Sequence, residues 1–209
     1  MQTTQASRSL KERQRQEREA LILQVAEEVL LEKGYHETSV DEIAARVGIA
    51  KGTVYLHFPG KEDLVVAIFS RDMQSFLQRV DEVITTQPTS RAKLEAILHL
   101  LYTGLFCKHA QFLYTMYNNV DQQRLLKEKG THMRELWEQF ATHVRTLLIE
   151  GKSDGEFDSD IPTEVMLGAF FSLLSPHSYE RLSRNVQMPP EELIAYLARI
   201  YFRGIAAKS

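Results

Sequence analysis

The stretch TSVDEIAARVGIAKGTVYLHFPGK, residues 38–61, constrains the fold of this chain more than any other. Ser39 and Glu42 have the spacing of a capping box, in which a serine hydroxyl takes an orphan backbone N–H where a helix begins. Val40, Ile43, Ala44 and Val47 then recur at helical spacing and define one buried face. Gly48 follows, where a left-handed residue is needed to stop that helix and turn the chain sharply into the next. Val54 and Phe58, four apart, anchor a second short helix to the same core, and Ala44 is small where the two helices would cross. This is the pattern of a helix-turn-helix, whose second helix enters the major groove of DNA with its first residues nearest the base edges. Thr53 and His57 lie off the buried stripe. Lys51 and Gly52 open the second helix, where free N–H groups favour an anion.

The remaining chain reads as helix after helix, without strand signals. Leu21, Ile22, Val25, Ala26, Val29 and Leu30 form the stripe of a first helix, which Gly34 stops. From Lys61 to about Thr86 neither proline nor glycine occurs, and Phe69, Met73, Phe76, Val80 and Val83 recur every three or four positions. Such a helix would span about 39 Å and link the first part mechanically to the second. Further helices are expected over 90–108, 110–118 and 121–150, then a loop over 151–160 with solvated Asp154, Glu156, Asp158 and Asp160. Two more helices open near Pro162 and at Pro189-Pro190. The expected fold is all-α, with about nine helices. Residues 1–62 form a helix-turn-helix DNA-binding domain, of which 1–15 are a basic, flexible arm; residues 63–209 form an effector-binding and dimerisation domain.

Composition mainly excludes. The formal net charge is −3, so there is no global basic signature of a nucleic-acid binder. Locally, Arg8, Lys11, Arg13, Arg15 and Arg18 outnumber Glu12 and Glu17 within the first 18 residues. That arm could follow phosphates or a minor groove, or be a solvated start to the first helix. A lone cysteine, Cys107, excludes an internal disulfide and fits a reducing cytoplasm. The longest apolar run, VMLGAFFSLL at 165–174, is shorter than the roughly 20 residues of a membrane span. Neither a Gly-x-Ser-x-Gly elbow nor a phosphate-binding loop is present. Cys107 and His109 are two apart and point to different sides of a helix, while His99, His132 and His143 are scattered. The expectation is a non-enzyme without cofactor or metal, acting in the cytoplasm and not in a membrane.

EEVLLEKGYHETSV and TSVDEIAARVGIAKGTVYLHFPGKEDL together resemble the DNA-binding signature of the TetR (tetracycline-repressor-type) transcriptional regulators, over roughly the first third of the chain. The remainder resembles that family in length and helical layout. The resemblance implies DNA contacts from Thr38, Lys51, Gly52, Thr53, Tyr55, His57 and Lys61, with Ser39 placed among them. Two positions depart from the pattern: His57 stands where tyrosine is common, and Pro59-Gly60 precedes Lys61 where a polar cap is usual. The family further implies a homodimer on a palindromic double-stranded operator, and repression relieved by a small effector. Aromatics with polar tips and adaptable methionines suit a pocket for a hydrophobic or amphipathic molecule. Leu101, Tyr102, Phe106, Met116, Tyr117, Trp137, Phe140 and Phe170 are the candidates, although residues of this kind, taken one by one, are more often plain core. Phe171, Leu174, Leu197 and Tyr201, on the last two long helices, are candidates for a four-helix dimer seam. An alternative keeps the fold but replaces the effector with a protein partner, with Leu56 as an exposed foothold.

Overall fold

Two glycines with positive φ set the path of the first seventy residues in the computed structural model, which describes residues 10–106, 131–173, 182, 185, 186 and 188–207. The helix expected over 110–118, the start of the next, and Cys107, Met116, Tyr117 and Leu174 lie outside the described residues. Helix α1 runs from Leu10 to Glu37. It therefore includes residues 10–15, which the sequence reading assigned to a flexible arm. That segment has no helix breaker, carries Glu12 in its first turn, and is braced by Arg15 donating to Glu19 Oε1 at 3.0 Å. Gly34 interrupts α1 at φ 78°, ψ 173°, and its carbonyl accepts the Thr38 hydroxyl at 2.7 Å.

Helix α2 (Val40–Val47) opens as the capping pattern demands, with Ser39 Oγ accepting from Glu42 N at 3.2 Å. Gly48 is left-handed, at φ 78°, ψ 31°, and its N–H donates to Ala44 O and Ala45 O. A side chain there would strain the backbone, which is why the turn needs glycine. Helix α3 (Lys51–His57) follows at once, then α4 (Lys61–Thr86). Ile22, Ala26, Val29, Ile43, Ala44, Val54, Leu64 and Ile68 close one core, with Phe58 packed against it. Each buried branched side chain contributes about 1.5–3 kcal/mol. Arg46 ties α2 to α1 through a paired contact to both carboxylate oxygens of Glu32, at 2.9 and 2.6 Å.

The chain divides into two compact units, Met1–Phe69 and Ser70–Ser209. The first extends past the boundary expected after Glu62 because Leu64 and Ile68, on α4, belong to its core. In the second unit, Met73, Phe76, Leu77 and Val80 of α4 share a core with α5 (Ser90–Leu100), α6 (Thr131–Ser153), α7 (Thr163–Leu173) and α8 (Pro190–Gly204). Directly after α5, Leu101–Phe106 form a π-helical turn.

The stretch expected as a solvated loop over 151–160 is different. Helix α6 continues to Ser153, and the absent side chain of Gly151 makes room for the buried ring of Phe157, which a Cβ would strike. The carboxylate of Glu156 accepts Ser90 N and Arg91 N, both at 3.0 Å, so it caps α5 from sixty-odd residues away. Asp158 is buried, and its N–H donates to Ile205 O at 2.8 Å. Alternation of acidic residues could not reveal this, since the partners lie on other helices.

Candidate nucleic-acid interface and apolar core

Helix α3 presents two unlike sides. At 100° per residue Val54, His57 and Thr53 fall together, and the structure turns this side inward: Val54 is buried, and Thr53 and His57 are half-buried. His57 Nδ1 lies 3.0 Å from Glu19 Oε1, so the ring is engaged with α1. Glu19 in turn is held below the usual carboxylate range, first by His57 and then, against its own desolvation, by Arg15. The sequence reading placed Thr53 and His57 on the groove-facing side. The exposed face is instead Lys51, Gly52, Tyr55 and Leu56.

Each DNA candidate has a definite position. Lys51 Nζ pairs with Asp41 Oδ2 at 2.7 Å, with both side chains largely exposed, and Asp41 holds its ammonium above the ordinary lysine value. A surface pair of this kind is worth little and yields readily to a phosphate. The Lys51 ammonium also sits 5.9 Å from the centre of the Tyr55 ring. A Cβ built on Gly52 meets nothing within 4 Å, so a groove wall can approach the backbone there. Ser39 is exposed, but its hydroxyl caps α2.

Thr38 and Lys61 sit elsewhere. Thr38 is buried, with its hydroxyl committed to Gly34 O. Lys61 Nζ donates to Tyr35 O at 2.6 Å and Thr38 O at 3.0 Å, and lies 4.2 Å from the centre of the Tyr35 ring. Tyr35 donates to Glu62 at 2.9 Å, and burial followed by that carboxylate pushes its phenol pKa up. These residues bind the end of α1 to the start of α4. Periodicity marked Lys61 as a helix start and could not show carbonyls brought to it from α1.

In the second unit Leu101, Tyr102, Phe140 and Phe170 are buried in one apolar cluster, and Trp137 packs against it. Phe140 makes edge-on contacts with Phe76 and Phe171, at 5.0 and 5.4 Å between ring centres. The Tyr102 hydroxyl donates to Leu173 O at 2.8 Å. Phe106 belongs to the π-helical turn, a local widening that recurs where helices serve a function. Among the described residues no three His, Cys, Asp or Glu side chains form a metal-sized group, and no helix is long and apolar enough to cross a membrane.

The dimer candidates need correction. Leu197 and Tyr201 face the core of their own chain, and the Tyr201 hydroxyl donates to Met166 O at 2.9 Å. The outward apolar residues of α7 and α8 are Val165, Tyr196 and Ile200, with Gly168 and Ala169 exposed beside Val165.

A left-handed glycine turn joining two short helices, the second with Lys51, Gly52, Tyr55 and Leu56 outward, is the geometry of a helix-turn-helix, and the chain is a DNA-binding transcriptional regulator. Residues 22–68 match the family model of bacterial regulatory proteins of the tetR family. The fatty acid metabolism regulator protein of Bacillus subtilis (strain 168) is 28% identical over 153 residues, covering 73% of this chain and 77% of that protein. The HTH-type transcriptional repressor KstR2 of Rhodococcus jostii (strain RHA1) is 29% identical over 144 residues, covering 69% and 70%. The solved structure of the FadR regulator of Bacillus subtilis in complex with stearoyl-CoA shares the fold, at a TM-score of 0.70 and 23% identity over 89% of this chain and 98% of that one.

Proposed function

We propose that this regulator is a cytoplasmic homodimeric repressor that binds a palindromic operator and is released by a small hydrophobic or amphipathic effector, a long-chain acyl thioester first among the candidates. The outward face of α3 after the Gly48 turn carries the DNA half of this reading. Lys51 and Tyr55 hold phosphates, and the open backbone at Gly52 lies nearest the base edges, while Thr53 sits on the inward side of α3. Thr38, Ser39 and Lys61 act indirectly by fixing the ends of α1, α2 and α4, and His57 keeps a phosphate contact only through the ring edge not turned to Glu19.

The effector half rests on the cluster of Leu101, Tyr102, Trp137, Phe140 and Phe170 beside a π-helical turn, a feature frequent at functional sites. Similarity to a fatty acid metabolism regulator favours an acyl chain among apolar ligands. Helix α4 contributes Leu64 and Ile68 to one core and Met73, Phe76, Leu77 and Val80 to the other. An effector that binds one setting of α4 better than the other therefore changes DNA affinity, by linkage, typically about 5–150-fold. The test is selection of binding sites from a randomised duplex pool, followed by titration of the complex with palmitoyl-CoA and with free coenzyme A. Release by the acyl form alone is the expected result. Affinity that no acyl chain length alters would refute the effector assignment.

A further inference from the structure

Leu56 is 82% exposed, more than any other large hydrophobic side chain among the described residues, and it lies on the outward face of α3. Its exposed neighbours on that helix are Lys51, Gly52 and Tyr55. A protein-docking surface is a contiguous apolar patch of several hundred Å². Here a single aliphatic group stands among a cation, a glycine and a phenol, which is the make-up of a surface that meets a charged, grooved polymer. Leu56 and Gly52 are four apart, about 40° around the helix from one another. Helical side chains lean toward the N-terminus, so Leu56 covers the surface next to Gly52, where the backbone is open. The pair forms a shallow step, aliphatic on one side and bare backbone on the other. In the major groove one group matches such a step: the C5-methyl of thymine, the only methyl group the four bases present there.

We infer that Leu56 is a specificity-determining residue that reads a thymine methyl at one position of each half-site. This rests on the proposed docking of α3 in the major groove. It also follows that Leu56 adds no hydrogen bond, so its selectivity is for the methyl and not for the base pair's polar edge.

The experiment crosses a protein change with a DNA change. The site chosen by the wild-type protein from a random pool is remade with deoxyuridine in place of each thymine in turn, and each duplex is titrated with wild type, Leu56→Ala and the more nearly isosteric Leu56→Gln. The expected result is one symmetric position where methyl removal weakens wild-type binding about fourfold per half-site. At that position neither variant distinguishes thymine from uracil, while both keep the wild-type melting temperature. Equal methyl sensitivity in wild type and Leu56→Ala, or no methyl-sensitive position at all, overturns the assignment while leaving DNA binding intact. Failure of the wild type to enrich any sequence overturns the groove docking itself, and this inference with it.

Discussion

Two lysines that look equivalent in the sequence do different work in the structure. Lys51 holds an exposed carboxylate and, more distantly, the exposed Tyr55 ring, whereas Lys61 holds two main-chain carbonyls and the close face of Tyr35. Lys61→Ala would leave the carbonyls of Tyr35 and Thr38 short of a charged donor, and such bonds are worth about 1.5–3 kcal/mol each where they are desolvated. Partial exposure discounts this, so a loss of about 1–2 kcal/mol in urea unfolding is expected. Lys51→Ala should leave unfolding unchanged but weaken binding to all sequences and lower the slope of log affinity against log salt by about one. If the two variants exchange these signatures, the assignment of roles is wrong. Glu19 adds a pH dependence. Its carboxyl is held low in the folded protein by the His57 ring, so it stabilises the fold above the unfolded carboxylate value and loses that effect as pH falls through the lower folded value. Thermal melts should therefore show Glu19→Gln less stable than wild type near neutrality, with the gap closing below about pH 4.

Among elements, the α2–α3 turn tolerates least. Gly48→Ala forces a Cβ into left-handed backbone, at a cost of about 1–2 kcal/mol. Denaturant midpoints should fall accordingly, and DNA affinity should fall further than stability if the turn also aims α3. An unchanged midpoint would show that the turn relaxes. This element was legible in the sequence because each of its determinants is local: the serine cap, the glycine and the apolar spacing all lie within one short segment. The side of α3 that faces outward was not legible. Seven residues give too few apolar positions to fix a stripe, and the deciding partner of His57, Glu19, lies 38 residues away on α1. The same limit explains the acidic stretch. Glu156 reads as solvated until the free N–H groups of α5 are brought to it. Likewise, helix α1 begins earlier than the arm reading allowed because charged residues at i, i+4 support a helix as readily as they solvate a coil.

For the whole molecule, the proposed homodimer turns on how two copies would meet. Two reading helices must lie about 34–36 Å apart to engage successive major grooves, so the seam between copies sets operator geometry. On α7 the exposed residues Val165, Gly168, Ala169 and Ser172 recur at helical spacing, and on α8 Tyr196 and Ile200 do the same. Val165 is 59% exposed and Ile200 64%, which leaves them as the apolar pair with most to gain from a partner. Gly168 and Ala169 are small enough for helices to approach closely, and α7 packs directly on α8, so two such pairs can build a four-helix seam. Leu197 and Tyr201 cannot contribute in this way, because they already fill the core behind it. Ile200→Glu should then yield a folded monomer, with the mass in light scattering halved and the helical content unchanged. Its affinity for the full operator should fall about 10²–10⁴-fold, toward that of a half-site, because the second head loses its effective concentration. Tyr201→Phe supplies the contrast: it removes the hydrogen bond to Met166 O and lowers stability, but leaves the mass of the dimer unaltered. A dimeric Ile200→Glu protein with full operator affinity would place the seam elsewhere and, with it, the spacing of the two reading helices.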